Sequence, residues 1–585
     1  MSLCRHAFLS ILVFTVITPA GTSAQVRAAG SGLAPLSPAE RSRVTRLMRT
    51  LPLRQRIAQL IMPWIPGTYA AFDDRSLEKV RGWVDTLQVG GIIVSVGSPL
   101  DIAATLNFFQ RRARLPLLIA SDLEGGTSIR FQGGTPFPTN MGVGAGGRVQ
   151  DAYAMGRVTA LEGRAAGIHL TFSPVADVNN NAANPIINTR SFGGNAKAVG
   201  RMVAATVRGI QDAGMLATAK HFPGHGDTDT DSHIALPVIR SDWRRLDSLE
   251  LIPFRDAIAA GVRVVMTAHV AMPGVVGDAA VPATLSPEIL TGILRDSLGF
   301  KGLVVTDALN MGALVNSYGA GEATVRAFLA GSDLLLMPTD PRAAIDAMVE
   351  AVELGRVSRA RLDASLRRML EVKARLGLFR RRTVNLDSLA YTIGRRAHRD
   401  TALAVSARSL VLVRDTLAMV DSLRAGPRRI AVVTYADAGA APVGSSLIAE
   451  LTRRGHRISS FRLTAASGPA SYDSAAALVK AAPMALFATA IRVVAWRGAI
   501  GLPEPLVRVI NDSNGDRPTM VVSFGTPYLL SQVPRVSGYL IGWTDNPLTE
   551  EAVAAALSGA AITGRLPIEL PPAYPLGFGL QKPRR

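Results

Sequence analysis

From about residue 38 to 375, short apolar runs alternate with longer stretches in which apolar residues recur at helical spacing. The runs fall at residues 60–63, 91–95, 117–122, 170–174, 217–222, 264–269, 303–307 and 333–337. Residues 151–167 and 196–214 are typical of the helical stretches between them. Alternation of strand and helix predicts βαβ units, and eight repeats predict an α/β fold of the (β/α)8 TIM barrel type. An open doubly wound sheet alternates in the same way. The eightfold count and the polar residues at the strand ends favour the barrel. Those residues are Asp122, Asp177, Lys220, His221, His269 and Asp307, and in such barrels the C-terminal face carries the chemistry.

Residues 376–400 are polar and Arg-rich without a core period, and read as a linker. From 401 to 585 the pattern predicts a smaller α/β sandwich domain. Its strands are expected at 430–435, 485–490 and 520–525, and its helices at 471–481 and 549–558.

Composition narrows the class. A chain of 585 residues, 48% of them hydrophobic, is long enough for more than one domain and too apolar for disorder. Its single cysteine, Cys4, lies in an N-terminal segment with Arg5, an apolar run over 7–17 and Thr22-Ser23-Ala24. That is the pattern of a signal peptide over 1–24, followed by export to the periplasm or beyond. The apolar run is shorter than the ~20 residues of a membrane span, so no stable membrane anchor is expected after cleavage. The mature chain would lack disulfides and thiolate metal sites. The formal charge of +19 is carried mostly by scattered arginines, with dense patches only at 380–382 and 582–585. Without aromatic interleaving this reads as a solvated basic surface, and no nucleic-acid partner is expected.

The candidate chemistry concentrates in two segments. The first, residues 220–233, reads Lys-His-Phe-Pro-Gly-His-Gly-Asp-Thr-Asp-Thr-Asp-Ser-His and holds three of the chain's eight histidines. His221 and His225 have the spacing of helical metal ligands, but the intervening Pro-Gly forbids the helix. A loop-built metal site and a plain polar loop remain as alternatives. Asp231-x-His233 suits proton transfer, because a carboxylate beside an imidazole orients it and favours its protonated form. Gly224, Gly226 and the Asp, Thr and Ser residues around them suit a loop that closes over substrate; its rival is a loop locked by Asp231 and backbone groups. The second segment, 301–309, is an apolar strand ending in Asp307. That carboxylate either caps the next helix or attacks an anomeric carbon.

Together these segments resemble glycoside hydrolase family 3, in its β-N-acetylglucosaminidase (β-hexosaminidase) branch. The resemblance rests on K-H-F-P-G-H-G with the downstream D-S-H, and on Ser121-Asp122-Leu123-Glu124-Gly125-Gly126. Phe172-Ser173-Pro174-Val175-Ala176-Asp177, Arg190-Ser191-Phe192-Gly193 and the tail motifs at 564–567 and 574–579 add to it. It implies a catalytic (β/α)8 domain over 38–375 and a retaining hydrolysis of terminal β-linked N-acetylglucosamine from cell-wall-type or chitin-type glycans. It further implies Asp307 as nucleophile and His233 with Asp231 as acid/base. Asp122, Arg130, Arg190, Lys220 and His221 are the sugar-binding positions it implies, with neither metal nor cofactor. Leu123 departs from the pattern, which often has a polar residue there at the pocket rim. A β-glucosidase, a phosphorolytic variant and a non-catalytic glycan-binding protein are the competing readings.

Overall fold

The computed structural model describes residues 35–585 apart from 72, 279–280, 438–441, 493–499, 514 and 516. The expected signal peptide at 1–24 lies outside the described residues.

The N-terminal region is built on short parallel strands. Trp64–Ile65, Gly91–Val94, Leu118–Ser121 and Leu170–Thr171 pair in that order. Thr218–Phe222, Val264–Thr267 and Leu303–Val305 form a second parallel set. Parallel bridges from Leu170 to Leu216 and from Val175 to Lys220 join the sets, and another runs from Val305 to Leu334. The last strand, Leu335–Leu336, pairs in parallel with Ile61–Met62. Nearly every strand residue is buried, so the strands read as unbroken apolar runs rather than alternating ones. The first strand outlasts the expected run at 60–63. Pro63 has no N–H to donate, but its carbonyl still accepts from Ile93, and pairing resumes at Trp64.

Helices Val149–Ala165 and Ala196–Asp212 follow the predicted periods within two residues at each end. They meet through glycine on both sides. A Cβ on Gly156 would stand 2.6 Å from the Thr206 carbonyl oxygen, and one on Gly209 only 2.1 Å from that of Tyr153. No larger residue permits this approach of one backbone to the other.

The C-terminal region holds a six-stranded sheet in the order Val411–Asp415, Gly538–Ile541, Thr519–Ser523, Ala485–Ala490, Arg429–Ala436, Arg457–Thr464. All neighbours are parallel except the first pair. Period-two alternation splits it between two cores. Ala431, Val433, Phe487, Val521 and Tyr539 face one; Ile430, Val432, Leu486, Val522 and Leu540 face the other. The pattern had indicated three of these strands. Arg457–Thr464 was hidden because it is a sheet edge with a largely solvent-facing, polar sequence. Val411–Asp415 ends in Arg414-Asp415, and Gly538–Ile541 spans only 4 residues.

The segment expected as a linker is stitched to the N-terminal region. Leu376, Leu378 and Leu389 join its core. Asn107 and Val384 exchange hydrogen bonds of 2.8 Å in both directions. Helix Arg396–Ser409 begins within the segment. The two basic patches are likewise engaged in intramolecular contacts. Arg382 donates to the Gln110 and Ala113 carbonyls, Arg380 pairs with Glu40, and Lys582 with Asp421 and Asp415. None of the described helices is long and apolar enough to cross a membrane.

Packing joins the two regions. Met141 and Ala145, on helix Asn140–Gly146, belong to the core of the C-terminal sheet. Trp543, fully buried, donates its indole N–H to the Ser409 carbonyl at 2.7 Å. Arg408 grips Asp151 through two bonds of 2.8 Å, and Asn179 donates to the Tyr528 hydroxyl at 2.8 Å.

Candidate active site

Parallel strands leave the polar residues that follow them at one end of the N-terminal region. A cavity of about 730 Å³ opens there. It is lined by Asp122, Glu124, Arg130, Arg190, Lys220, His221, His225, His233 and Asp307. The catalytic and sugar-binding positions that the resemblance implies therefore line one cavity except Asp231, which stands directly behind His233; of the other strand-end residues, Asp177 and His269 lie outside the lining.

The cations are held by two carboxylates from the turn after Leu118–Ser121. Glu124 accepts two bonds of 2.9 Å from Arg190, through Nε and Nη2. It also pairs with Lys220 Nζ at 2.7 Å. Lys220 reaches Asp122 at 3.0 Å, and Arg130 lies 3.7 Å from the other Asp122 oxygen. Burial alone would raise the Glu124 carboxyl, but Arg190 and then Lys220 hold it well below the usual carboxylate range. Burial pulls Lys220 down, but Asp122 and Glu124 outweigh it and its pKa is raised. The forked geometry suits arginine, whose planar donors match a carboxylate edge. Exposure then separates the residues. Lys220 and His221 are buried, with 3% and 6% of their side chains exposed, whereas Asp122 and Arg130 keep 28% and 27%. Asp122 and Arg130 thus present polar atoms to the cavity, and the buried pair sets the field behind them.

Glu124 was not singled out by sequence reasoning, although it stands two residues beyond Asp122. The signal was strand-like alternation: 122 and 124 share a side, and 123 takes the other. Leu123 is 1% exposed and packs in the N-terminal core. Its departure from the family pattern is therefore buried and does not touch the pocket rim.

Asp177 organises the histidine loop. One oxygen accepts the His221 and His225 backbone N–H groups at 3.1 and 2.8 Å, and the other lies 2.7 Å from His221 Nδ1. His221 Nε2 then faces Arg190 Nη2 at 3.4 Å, so the ring is held between a carboxylate and a guanidinium. His225 spends both ring nitrogens on hydroxyls, Thr228 at 2.9 Å and Ser232 at 3.0 Å. Burial and the neighbouring His221 push its pKa down to about 4. His221 and His225 thus turn their nitrogens to protein partners rather than to a common ion. No cluster suited to a metal ion occurs among the described residues.

At the end of the loop, His233 Nδ1 lies 2.7 Å from Asp231 Oδ1, which also accepts the His233 backbone N–H at 2.9 Å. Asp231 is buried and a quarter of the His233 side chain is exposed. Nδ1 is the ring nitrogen that faces Asp231, so an acid/base role for this ring falls to Nε2. The loop between is tied down. The Asn184 amide donates to the His225 and Gly226 carbonyls, both at 3.0 Å, and to Thr228 at 3.2 Å. These are bonds that a closing movement of the loop would have to exchange.

Asp307 follows strand Leu303–Val305. Its backbone N–H donates to Thr267 Oγ1 at 3.3 Å, and its carboxylate accepts from the Ala308 N–H at 2.8 Å. Burial would raise this carboxyl. The positive potential of His221, His269 and His233, with the Ala308 N–H, instead holds it at about 2. His269 is fully buried between Thr284 and the Ala308 carbonyl, and burial lowers its pKa. A carboxylate held ionised at neutral pH and an oriented imidazole facing one cavity are equipped for nucleophilic attack and proton transfer.

The sequence of the C-terminal region shows no catalytic constellation, which left it to shape the pocket, bind the aglycone or stabilise the N-terminal region. Arg492, Phe524, Trp543, Thr544, Asp545 and Asn546 line the same cavity. Arg492 is anchored to the buried Asp545 through Nε at 2.8 Å and Nη2 at 2.6 Å. Asn546 donates to the Phe137 carbonyl at 3.4 Å.

Comparison with known proteins agrees with this arrangement. The sequence matches the Glycosyl hydrolase family 3 N terminal domain over residues 52–372. A β-N-acetylglucosaminidase/β-glucosidase of Cellulomonas fimi is 31% identical over 506 residues, covering 83% of this chain and 89% of the relative. A β-hexosaminidase of Neisseria meningitidis serogroup B is 39% identical over 267 residues, covering 43% of this chain and 72% of the relative. Among solved structures, a family 3 β-N-acetylglucosaminidase of Paenibacillus sp. aligns with a TM-score of 0.80 at 34% identity, covering 89% of this chain and 99% of that one. A β-glucoside phosphorylase aligns with a TM-score of 0.81 at 26% identity, covering 91% and 97%. With matches running through more than half of its length, and with the strand ends and loop that the motifs require, the chain belongs to glycosyl hydrolase family 3.

Proposed function

We propose that this chain is an exported, retaining β-N-acetylhexosaminidase that removes terminal β-linked N-acetylglucosamine from cell-wall-type or chitin-type glycans. The observation that carries the proposal is the pairing of an ionised Asp307 with the Asp231–His233 dyad on one cavity. The relatives named β-hexosaminidase and β-N-acetylglucosaminidase support the sugar. Export rests on the N-terminal sequence pattern alone.

In this reading Asp307 attacks the anomeric carbon while His233 Nε2–H protonates the leaving oxygen, giving a covalent glycosyl-enzyme. The neutral imidazole then takes a proton from a water whose oxygen attacks the anomeric carbon as the bond to Asp307 breaks, which releases the sugar with its configuration kept. Asp231 stabilises the imidazolium and keeps Nδ1 out of the exchange. Asp122 and Arg130 hold the sugar hydroxyls, backed by Lys220, Arg190 and His221. The low pKa of Asp307 suits its departure in the second step.

The scaffold we infer is a (β/α)8 barrel over 38–375 followed by an α/β sandwich from about 401. The succession of parallel pairings from Ile61–Met62 round to Leu335–Leu336 supports the first part, and the six-stranded sheet between two cores supports the second.

NMR of the first-formed product from an aryl β-N-acetylglucosaminide tests the mechanism. The β-anomer is expected, and an α-anomer would overturn retention. A second reading, activity on β-glucosides or release by phosphate, is favoured by the double name of the Cellulomonas fimi relative and by the phosphorylase likeness. Aryl glucoside as substrate, and added phosphate with sugar phosphate as readout, separate it from hydrolysis of the amino sugar.

A further inference from the structure

The acid/base loop rests on the segment that follows the nucleophile. Three successive carbonyls of the loop accept from it. Ala313 N–H donates to Ser232 at 3.2 Å, Gly312 N–H to His233 at 3.1 Å, and Asn316 Nδ2 to Ile234 at 3.3 Å. The segment is itself fixed at its start. Ala308 N–H binds Asp307, the Ala308 carbonyl lies 3.0 Å from His269 Nε2, and Leu309 N–H donates to Leu336 at 2.9 Å. The same five residues that lead away from Asp307 therefore end beneath the backbone of His233.

Contact this close needs a residue without a side chain. A Cβ on Gly312 would stand 2.6 Å from the His233 carbonyl oxygen and 2.6 Å from that of Ile234. Both obstacles are backbone atoms, so a rotamer change cannot relieve the clash. Gly312 has no left-handed φ and opens the short helix Gly312–Val315. Alanine would suit this helical conformation better than glycine. The glycine is therefore explained by its neighbours across the gap rather than by its own backbone.

We propose that Gly312 is a positioning residue that sets the register between His233 and Asp307, by letting the turn after Asp307 carry the acid/base loop through backbone hydrogen bonds. It touches neither substrate nor the reacting atoms. The proposal rests on the acid/base role given to His233 above. Leaving-group protonation depends on where Nε2 stands, and a misplacement of about 1 Å costs on the order of 100-fold. Good leaving groups need little protonation and should barely notice it.

The test uses the full chain with two aryl N-acetylglucosaminides, one with an activated and one with an unactivated leaving group. Gly312→Ala should lose on the order of 100-fold in kcat/KM on the unactivated substrate and stay close to wild type on the activated one. Asn316→Ala should move in the same direction by less, and it carries the test if Gly312→Ala does not fold. Gly319→Ala, where a Cβ meets nothing within 4 Å, should behave as wild type on both. His233→Ala, run alongside, must itself show the leaving-group selectivity; equal losses there would overturn the acid/base role and not the positioning. Hydrogen exchange then decides the positioning alone, since protection of residues 228–234 should fall in Gly312→Ala. Equal losses on both substrates with selectivity intact in His233→Ala, or unchanged protection, would overturn the proposal.

Discussion

The N-terminal and C-terminal regions put parallel strands to different use. In the first, the strand ends bring carboxylates and cations together: Asp122 and Glu124 against Lys220 and Arg190, Asp177 against His221, and Asp307 among three histidines. In the second, the sheet is enclosed by two apolar cores, and its contribution to the cavity is a wall with one anchored ion pair, Arg492–Asp545. Charges packed at strand ends must compensate one another, because each is costly to bury alone. A wall asks only for shape. The difference teaches that the first region carries chemistry whose parts are interdependent, while the second bounds the space in which it happens.

Removing the proposed nucleophile should have the largest effect. Asp307→Ala is expected to abolish turnover on activated and unactivated substrates alike, which steady-state assays would show. Because the folded pKa of Asp307 is depressed to about 2, the group stays ionised as pH falls through the ordinary carboxylate range. It adds stability that is fully present above the unfolded value, near 3.9, and is lost progressively as pH falls from there through the folded value of about 2. A ¹³C titration of its carboxyl in the folded protein should therefore show no inflection at pH 4. An inflection there would break the claim that the histidines hold it charged.

Next comes the interdependence of the buried network. Glu124→Ala leaves Arg190 and Lys220 facing each other without their shared partner. Breaking a buried pair in this way costs roughly 3–5 kcal/mol, to be read from urea unfolding of the full chain. The loss should diminish as pH falls from the ordinary carboxylate range towards the pH at which Glu124 protonates in the folded protein, which lies well below that range. A cost within about 0.5 kcal/mol, typical of surface substitutions, would mean that the first region is no more interdependent than the second.

The smallest effect should fall on the wall. Arg492→Ala is expected to raise KM by less than about tenfold, the scale of one lost contact of about 1.4 kcal/mol, with kcat nearly unchanged. A kcat loss as large as that of His233→Ala would dissolve the contrast, by making the C-terminal region part of the chemistry.

Much of the catalytic side was legible in the chain. Strands advertise themselves by local apolar runs, and the parallel arrangement puts their C-terminal ends on one face. Asp122, Lys220, His221, His233 and Asp307 could thus be assembled from motifs and order. Glu124 was within reach by alternation, as was the inward turn of Leu123. The edge strand Arg457–Thr464 was not, since its exposed faces carry little of the apolar signal on which strand prediction depends.

What the sequence determined by itself was local: the positions of the N-terminal strands, the glycine and proline breaks that make 220–233 a loop, and the chemical types at the strand ends. Local period and steric rules act over a few residues, so they can be read in order along the chain. The tertiary structure alone decided the partnerships. Arg190 meets Glu124 across 66 positions, and Arg492 and Asp545 reach the cavity from the other region. Gly312 stands against His233 only because the turn after one strand is laid under the loop after another. Such contacts depend on how distant segments stack, and close packing fixes that only when the whole chain has found its neighbours.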